Sequence, residues 1–374
     1  MAPTHPSYFL VMTSIALMLG CTPADDGPNE PSIDPLSWSV EAPGPFAVGY
    51  TAWEYSYTPA GASNQRTIPV HLWYPTEDTS GQGVTYEFIF GDADSWLDAV
   101  PAAAVHSSGY PVLAYSHGNQ GFAGSSAFLM RKAASHGWVA VAPDHIGNTL
   151  STHSAPRPLS LWLNRGQDVS AAMDSLQERA LELLRGDLDI DSSVVSGHSF
   201  GGYTTWSSMG AAFDRERIEQ RCDEGVYPPE QCSEALLDAF EAGVSDPRFA
   251  AGITLAGGGG EEWFGEGGLR AVDRPMLQLS GSRDAGAVVG VWERTEGVDL
   301  TWVDVEGGCH QLFALGGCDE VPSDEGHWLV STYSFAFARL HALADNSADT
   351  LSLLDGSRLL SERITLQRRS QPDE

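Results

Sequence analysis

Positive charge is what this sequence has least of: 20 Lys and Arg stand against 50 Asp and Glu, a formal net charge of −30 over 374 residues. Such a surface repels phosphate backbones and anionic lipid heads, which argues against nucleic acid as a partner. The surplus acid serves solubility or a salty medium, and neutral or weakly polar substrates fit it better than polyanions. Cysteine is scarce as well, five in all. No two have CxxC spacing, which lowers zinc and thioredoxin-like readings, and neither a metal nor a cofactor is expected. The apolar run from Tyr8 to Leu19 falls short of the about 20 residues that span a bilayer. There is no internal repeat, and no low-complexity tract beyond one short acidic, Pro-rich stretch.

What is present suffices for a large core: 42% hydrophobic residues, with 11 Trp, 11 Tyr and 14 Phe. Wholesale disorder is excluded. The early apolar run suits a signal peptide and leads into Met18-Leu19-Gly20-Cys21. This resembles the lipobox of bacterial lipoproteins, in which the cysteine, here Cys21, becomes the lipidated N-terminus. An ordinary secretory signal with an incidental cysteine, or a retained helix, are the alternatives. Export to a bacterial cell envelope or secretion is expected, with the membrane touched only through an N-terminal lipid anchor. The other cysteines fall into two pairs close in sequence, Cys222 with Cys232 and Cys309 with Cys318. Local bridges are the simplest connectivity, free thiols the alternative.

Residues 22–45 are rich in Pro and acid at their start and read as a flexible tether. The folded part is expected over 46–345, with 346–374 as a C-terminal extension. AVGYTAWEYSY and TIPVHLWYP, separated by turn residues, predict an opening antiparallel pair. Strand-like runs at 111–115, 137–142, 192–196, 250–256, 275–280 and 300–305 alternate with helical stretches at 125–136, 165–184, 200–213 and 327–344. That alternation predicts a mostly parallel sheet flanked by helices. Asp214 to Asp246 breaks the rhythm and reads as an insertion after the helix at 200, a candidate cap over a site.

Gly197-His198-Ser199-Phe200-Gly201 is a GxSxG pentapeptide between a β-branched run and a helix, the frame of a nucleophile elbow. A nucleophilic serine needs a base, and only His310, His327 and His341 lie downstream. His310 directly follows a predicted strand; the other two fall in or beside a helix, where a satisfied or solvated His is the ordinary role. The orienting acid is expected between serine and histidine, and Asp284 ends a strand-turn segment there. Asp304, inside the strand before His310, and Glu261 and Glu262 are the rivals. The loop Ser116 to Gly121 suits an oxyanion site, with the N–H groups of Asn119 and Phe200 as donors and His117 as a structural tie. Asp144 and His145 read as a loop that shapes the site. Trp206 and Trp263 read as core.

SHGNQG, VAPDHIGNT, GHSFGGYT, DPRFAAGITLAGG, LSGSRD and GGCH occur in the order found in a group of predicted dienelactone hydrolases. That group is similar to plasma platelet-activating-factor acetylhydrolase and the bacterial cutinase-like polyester hydrolases. The resemblance runs from about Phe46 to Leu340. It implies an α/β-hydrolase fold and metal-free ester hydrolysis, with a small-molecule, lipid-like or polyester ester as substrate and a monomeric enzyme. Ser199 replaces the cysteine nucleophile of true dienelactone hydrolases, which puts that activity in doubt. Ala256 stands where the acetylhydrolase carries its acid, so the acid moves to Asp284, as in the cutinase-like branch. A thioesterase or amidase with the same triad, or an inactive hydrolase-fold lipoprotein that binds ligands, are the competing readings.

Overall fold

The computed structural model describes residue 1 and residues 34–284 and 289–370; the rest of the expected signal segment, Cys21 and the first half of the tether lie outside the described residues. Eleven strands among those residues form one sheet: β1 (Ala47–Tyr57), β2 (Arg66–Thr76), β3 (Gly83–Tyr86), β4 (Phe90–Leu97), β5 (Tyr110–Ser116), β6 (Val139–Pro143), β7 (Leu188–His198), β8 (Phe249–Leu255), β9 (Met276–Gly281), β10 (Leu300–Val305) and β11 (Ile364–Arg369). Their spatial order is β11-β10-β9-β8-β7-β5-β6-β2-β1-β4-β3. From β10 through β6 every neighbouring pair is parallel. The opening pair β1 and β2 is antiparallel, as their sequence pattern predicts, and β2 continues antiparallel onto β6.

Helices cover both faces: α1 (Ala127–Ser135), α2 (Leu159–Leu183), α3 (Phe200–Ser208), α4 (Arg215–Asp223), α5 (Glu234–Ala242), α6 (Glu261–Phe264), α7 (Val289–Arg294), α8 (Ser323–Leu343) and α9 (Ala348–Leu354). Because side chains alternate along a strand, β5 sends Leu113 and Tyr115 into the core shared with α1 and α8. Its Val112 and Ala114 go to the core under α2 and α3. Every residue of β5 and β6 is buried, as parallel strands covered on both faces require.

Several boundaries differ from the sequence reading, four of them in ways that change the architecture. The helix expected over 200–213 ends at Ser208, with Gly210 in the left-handed region at φ 103° just beyond. The helix expected from Arg165 begins at Leu159, where Gln231 accepts from its first amide at 2.9 Å. Residues 35–45 of the expected tether are packed rather than free. They put Val40 into the core and Trp38 against Phe46 and His136, and they offer carbonyls: Arg339 donates to Leu36 and Trp38, Lys132 to Ala42, and the Trp328 indole to Glu41. The expected C-terminal extension is part of the domain, since β11 pairs antiparallel with β10 and Leu353, Leu354 and Ile364 are buried.

Both local bridges form, Cys222–Cys232 and Cys309–Cys318. Disulfides persist in oxidising compartments, which favours an exported protein. Among the described residues no helix is long and apolar enough to cross a membrane. The 214–246 segment folds as α4 and α5 joined by the first bridge. Arg215 ion-pairs with Glu219, Glu234, Asp238 and Glu241, while Ile218, Leu236, Leu237 and Phe240 pack into the α2/α3 core.

Removing residues 356–374 would leave the outer edge of β10 unpaired and uncover core side chains. The truncated protein is expected to melt at least a few degrees lower and to aggregate more readily. An unchanged melting temperature would show that β11 adds nothing to stability.

Candidate active site

The strand order reverses at β5: the chain runs to β6 on one side, and to β7, β8, β9 and β10 on the other. Open α/β sheets bind ligands at such a switch point, beyond the carboxyl ends of the strands. Here those ends carry His117 after β5, Ser199 after β7, Asp284 after β9 and His310 after β10.

Ser199 sits between β7 and α3 at φ 55°, ψ −112°, a conformation that costs a non-glycine residue about 1–3 kcal/mol. The turn is over-determined by its neighbours. The Ser199 amide donates to Leu255 O at 2.8 Å, and Gly202 N–H donates back to Ser199 O at 2.9 Å. The flanking glycines are sterically required. A Cβ on Gly197 would stand 2.2 Å from Gly201 O, and one on Gly201 would stand 1.9 Å from Ser116 O. With both absent, the first turn of α3 lies directly against the end of β5.

Asp284 ends a turn after β9 that is closed by its own N–H to Gly281 O at 2.8 Å. Its Oδ2 lies 2.9 Å from His310 Nδ1. An Nδ1–H that donates to Asp284 leaves Nε2 of His310 as the free acceptor. His310 opens a short 3-10 turn (His310–Phe313) and is enclosed in sequence by the Cys309–Cys318 bridge. The His310 side chain is 36% exposed and that of Asp284 only 12%, so the imidazole is accessible while its partner is shielded.

Ser199 and His310 line one cavity of about 220 Å³, together with His198, Gly118, Asn119, Gln120, Phe122 and Phe90 among others. No Asp, Glu, Lys or Arg lines it. Asn119 stands in a turn closed by Gly121 N–H to Gly118 O at 3.1 Å, with Gln120 in the left-handed region. Phe200 is the first residue of α3, where an N–H has no acceptor within the helix. No residue of 214–246 lines this cavity, so that segment does not cap it.

The other sequence candidates fall elsewhere. Asp304 accepts from Ser280 at 2.5 Å, and Glu262 pairs with Arg221. His327 and His341 lie within α8, where His327 stacks on Phe128 at 4.1 Å. Trp206 and Trp263 are fully buried. Asp144 and His145 point apart: Asp144 binds His71 and the Ala123 amide, and His145 binds Ser116 and Asp168. Burial raises the Asp144 carboxyl, but the charge and hydrogen bond of His71 outweigh it and bring it down to about 2. Among the described residues no three His, Cys, Asp or Glu are grouped to hold a metal ion.

Three histidines near the site are buried and neutral. His117 accepts the His145 amide at Nε2 and donates from Nδ1 to Gly118 O. His145 donates from Nδ1 to Asp168, which leaves Nε2 to accept from the Ser116 hydroxyl. His198, which the sequence reading passed over, donates from Nε2 to His310 O at 3.1 Å and braces the loop that carries the imidazole. Its place inside the pentapeptide, beside the nucleophile, was the available signal. Loss of hydration lowers His117 well below the ordinary histidine range, His145 to about 4 and His198 to about 3.

A folded-state pKa below the unfolded value of about 6.5 means that the unfolded chain takes up protons first on acidification. The stability these groups contribute is therefore complete above about pH 6.5 and is lost as the pH falls toward 4 and below. Melting temperatures in high salt, where surface repulsion is screened, should decline steadily below pH 6.5. A flat profile down to pH 4 would contradict the burial of three neutral imidazoles.

No family model and no curated protein matches this chain. Among solved structures, the ferulic acid esterase from Streptomyces cinnamoneus is similar, with a TM-score of 0.61 at 20% identity over 88% of this chain and 98% of that one. At that identity the likeness speaks for architecture alone. With the mostly parallel sheet and its flanking helices, it makes this an α/β-hydrolase fold.

Proposed function

We propose that this chain is an exported serine hydrolase that cleaves uncharged carboxylic esters through Ser199, His310 and Asp284. The observation that carries the reading is the strained Ser199 elbow on the same cavity as an imidazole whose Nδ1 is held by a carboxylate at 2.9 Å. Backbone strain of this kind persists where the surroundings enforce it, and it concentrates at functional sites.

In the proposed reaction, Nε2 of His310 takes the Ser199 hydroxyl proton as Oγ attacks the ester carbonyl. The N–H groups of Asn119 and Phe200 receive the oxyanion. The intermediate expels the alcohol, which leaves with the proton from His310. Water then gives a proton to His310 and attacks the acyl-enzyme, and His310 returns that proton to Ser199 Oγ as the acid leaves. Asp284 holds the imidazole in the required tautomer and stabilises the imidazolium that forms in each half.

The substrate class follows from the walls. With no charged side chain lining the cavity, nothing there would pair with a carboxylate or phosphate on the substrate. Leu150 and Leu315 line it and are half exposed, and Phe88 and Ile89 stand exposed beside Phe90 at the tip between β3 and β4. An apolar rim of this kind favours lipid-like or polyester substrates over small polar ones. A thioesterase or amidase would use the same groups, and a panel of ester, thioester and amide substrates separates them.

Ser199→Ala should reduce p-nitrophenyl ester turnover by at least about a thousandfold and abolish fluorophosphonate labelling, with the fold unchanged. Asp284→Asn should cost a comparable factor in kcat, because the tautomer is no longer fixed. Turnover retained in Ser199→Ala overturns the reading, and failure of the unaltered protein to label identifies an inactive scaffold. The lipobox-like Cys21 supports a lipid anchor: Cys21→Ala should move the protein from the membrane to the soluble fraction on expression in a bacterial host, and an unchanged partition would remove the anchor from the proposal.

A further inference from the structure

Arg165 is fully buried in the second turn of α2, on the stripe that also buries Val169, Met173 and Leu176. Among the described residues no carboxylate is hydrogen-bonded to it. The nearby Asp168 is already taken by Arg66, Tyr57 and His145. Arg165 is held instead by neutral acceptors: Nε donates to Thr204 at 3.0 Å, Nη1 to Asn148 Oδ1 at 2.8 Å, and Nη2 to Ser116 Oγ at 3.1 Å and to the His117 carbonyl. Its guanidinium carbon also lies 4.3 Å from the centre of the Phe200 ring. Burial pulls its pKa down to about 9, which leaves it charged at neutral pH.

A buried guanidinium without its own carboxylate is an expensive way to fill a core, and an apolar side chain of similar volume often serves stability as well or better. Its contacts share one theme. Ser116 and His117 lead into the turn that carries Asn119. Asn148 passes the connection on, donating from Nδ2 to Asn119 Oδ1 at 2.8 Å. Thr204 is one turn into α3 and donates to Phe200 O at 3.2 Å, while the Phe200 ring covers the guanidinium face. The two segments that supply the proposed oxyanion donors thus meet at one planar, five-donor group.

We propose that Arg165 is the positioning residue of the oxyanion site, fixing the Asn119 and Phe200 amides relative to each other directly and through Asn148. The inference rests on the serine-hydrolase reading above. Preorganised donors are effective only when held at the place where charge will develop, and a flexible ammonium could not bind four acceptors in one plane.

The test uses the full-length protein with p-nitrophenyl acetate and a fluorophosphonate, whose phosphoryl oxygen enters the same site when Ser199 displaces fluoride. Arg165→Lys and Asn148→Ala should each lower kcat by about ten- to a hundredfold, the scale of a reacting geometry misplaced by about 1 Å. KM should stay within about twofold, and the labelling rate should fall in step with kcat. A purely structural role would lower the melting temperature while the folded fraction kept wild-type kcat and labelling, and that result overturns the proposal. Should Arg165→Lys fail to fold, Asn148→Ala decides alone. The double variant Asn119→Ala/Asn148→Ala should be no worse than Asn148→Ala, and additive losses would break the relay through Asn148. An inert Ser199→Ala beside a fully active Asn148→Ala sinks only this inference; an active Ser199→Ala sinks the catalytic reading itself.

Discussion

The sheet edge that carries Ser199 depends on how closely the first turn of α3 can approach the end of β5. Gly201 has no side chain, and the space a Cβ would need is filled by the Ser116 carbonyl. That contact sets the pitch of the elbow and forces Ser199 into its left-handed conformation. It also brings the start of α3 beside the loop after β5, the two segments that carry the proposed oxyanion donors. The polar groups beneath this contact form a continuous, largely buried network from Arg66 and Asp168 through His145 and Ser116 to Arg165. Networks of this type reward completeness, since one missing partner leaves a buried polar group unsatisfied. Each histidine in it has a defined tautomer for that reason.

The sheet was legible because each strand has a local signature, and the residues of the proposed triad stand out in the sequence for the same reason. Short apolar runs alternating with helical periods announce parallel strands, and a GxSxG between a strand and a helix announces the elbow. His310 and Asp284 were accessible by order along the chain and by position after strands. What escaped is long-range or low in apolar content. The β3–β4 pair, which brings Phe90 onto Phe122 at 4.8 Å to wall the cavity, has short strands without a strong pattern. Residues 35–45 are held by side chains that reach their carbonyls from α1 and α8, which no composition argument detects. The strand β11 ends in charge and pairs with a partner some sixty positions away, so its place at the sheet edge has no local cue.

Arg165 had a readable signal that went unused. A charged residue four positions before Val169 lies on the buried stripe of an amphipathic helix, and a charge there is an anomaly that asks for a cause. His198 shows the converse. It sits inside the most informative motif of the chain, yet its service to the His310 carbonyl appears only when the two loops are seen together, at a ring separation of 4.8 Å.

The uncharged cavity sits in a protein of net charge −30. A neutral ester enters without feeling that field. The proposed hydrolysis turns it into a carboxylate, which then finds no Lys or Arg in the cavity wall to hold it and a negative potential all around. The proposed chemistry would thus convert an indifferent visitor into one the protein expels, so that clearing the site between turnovers would be driven by the same acidic surface that keeps the chain in solution.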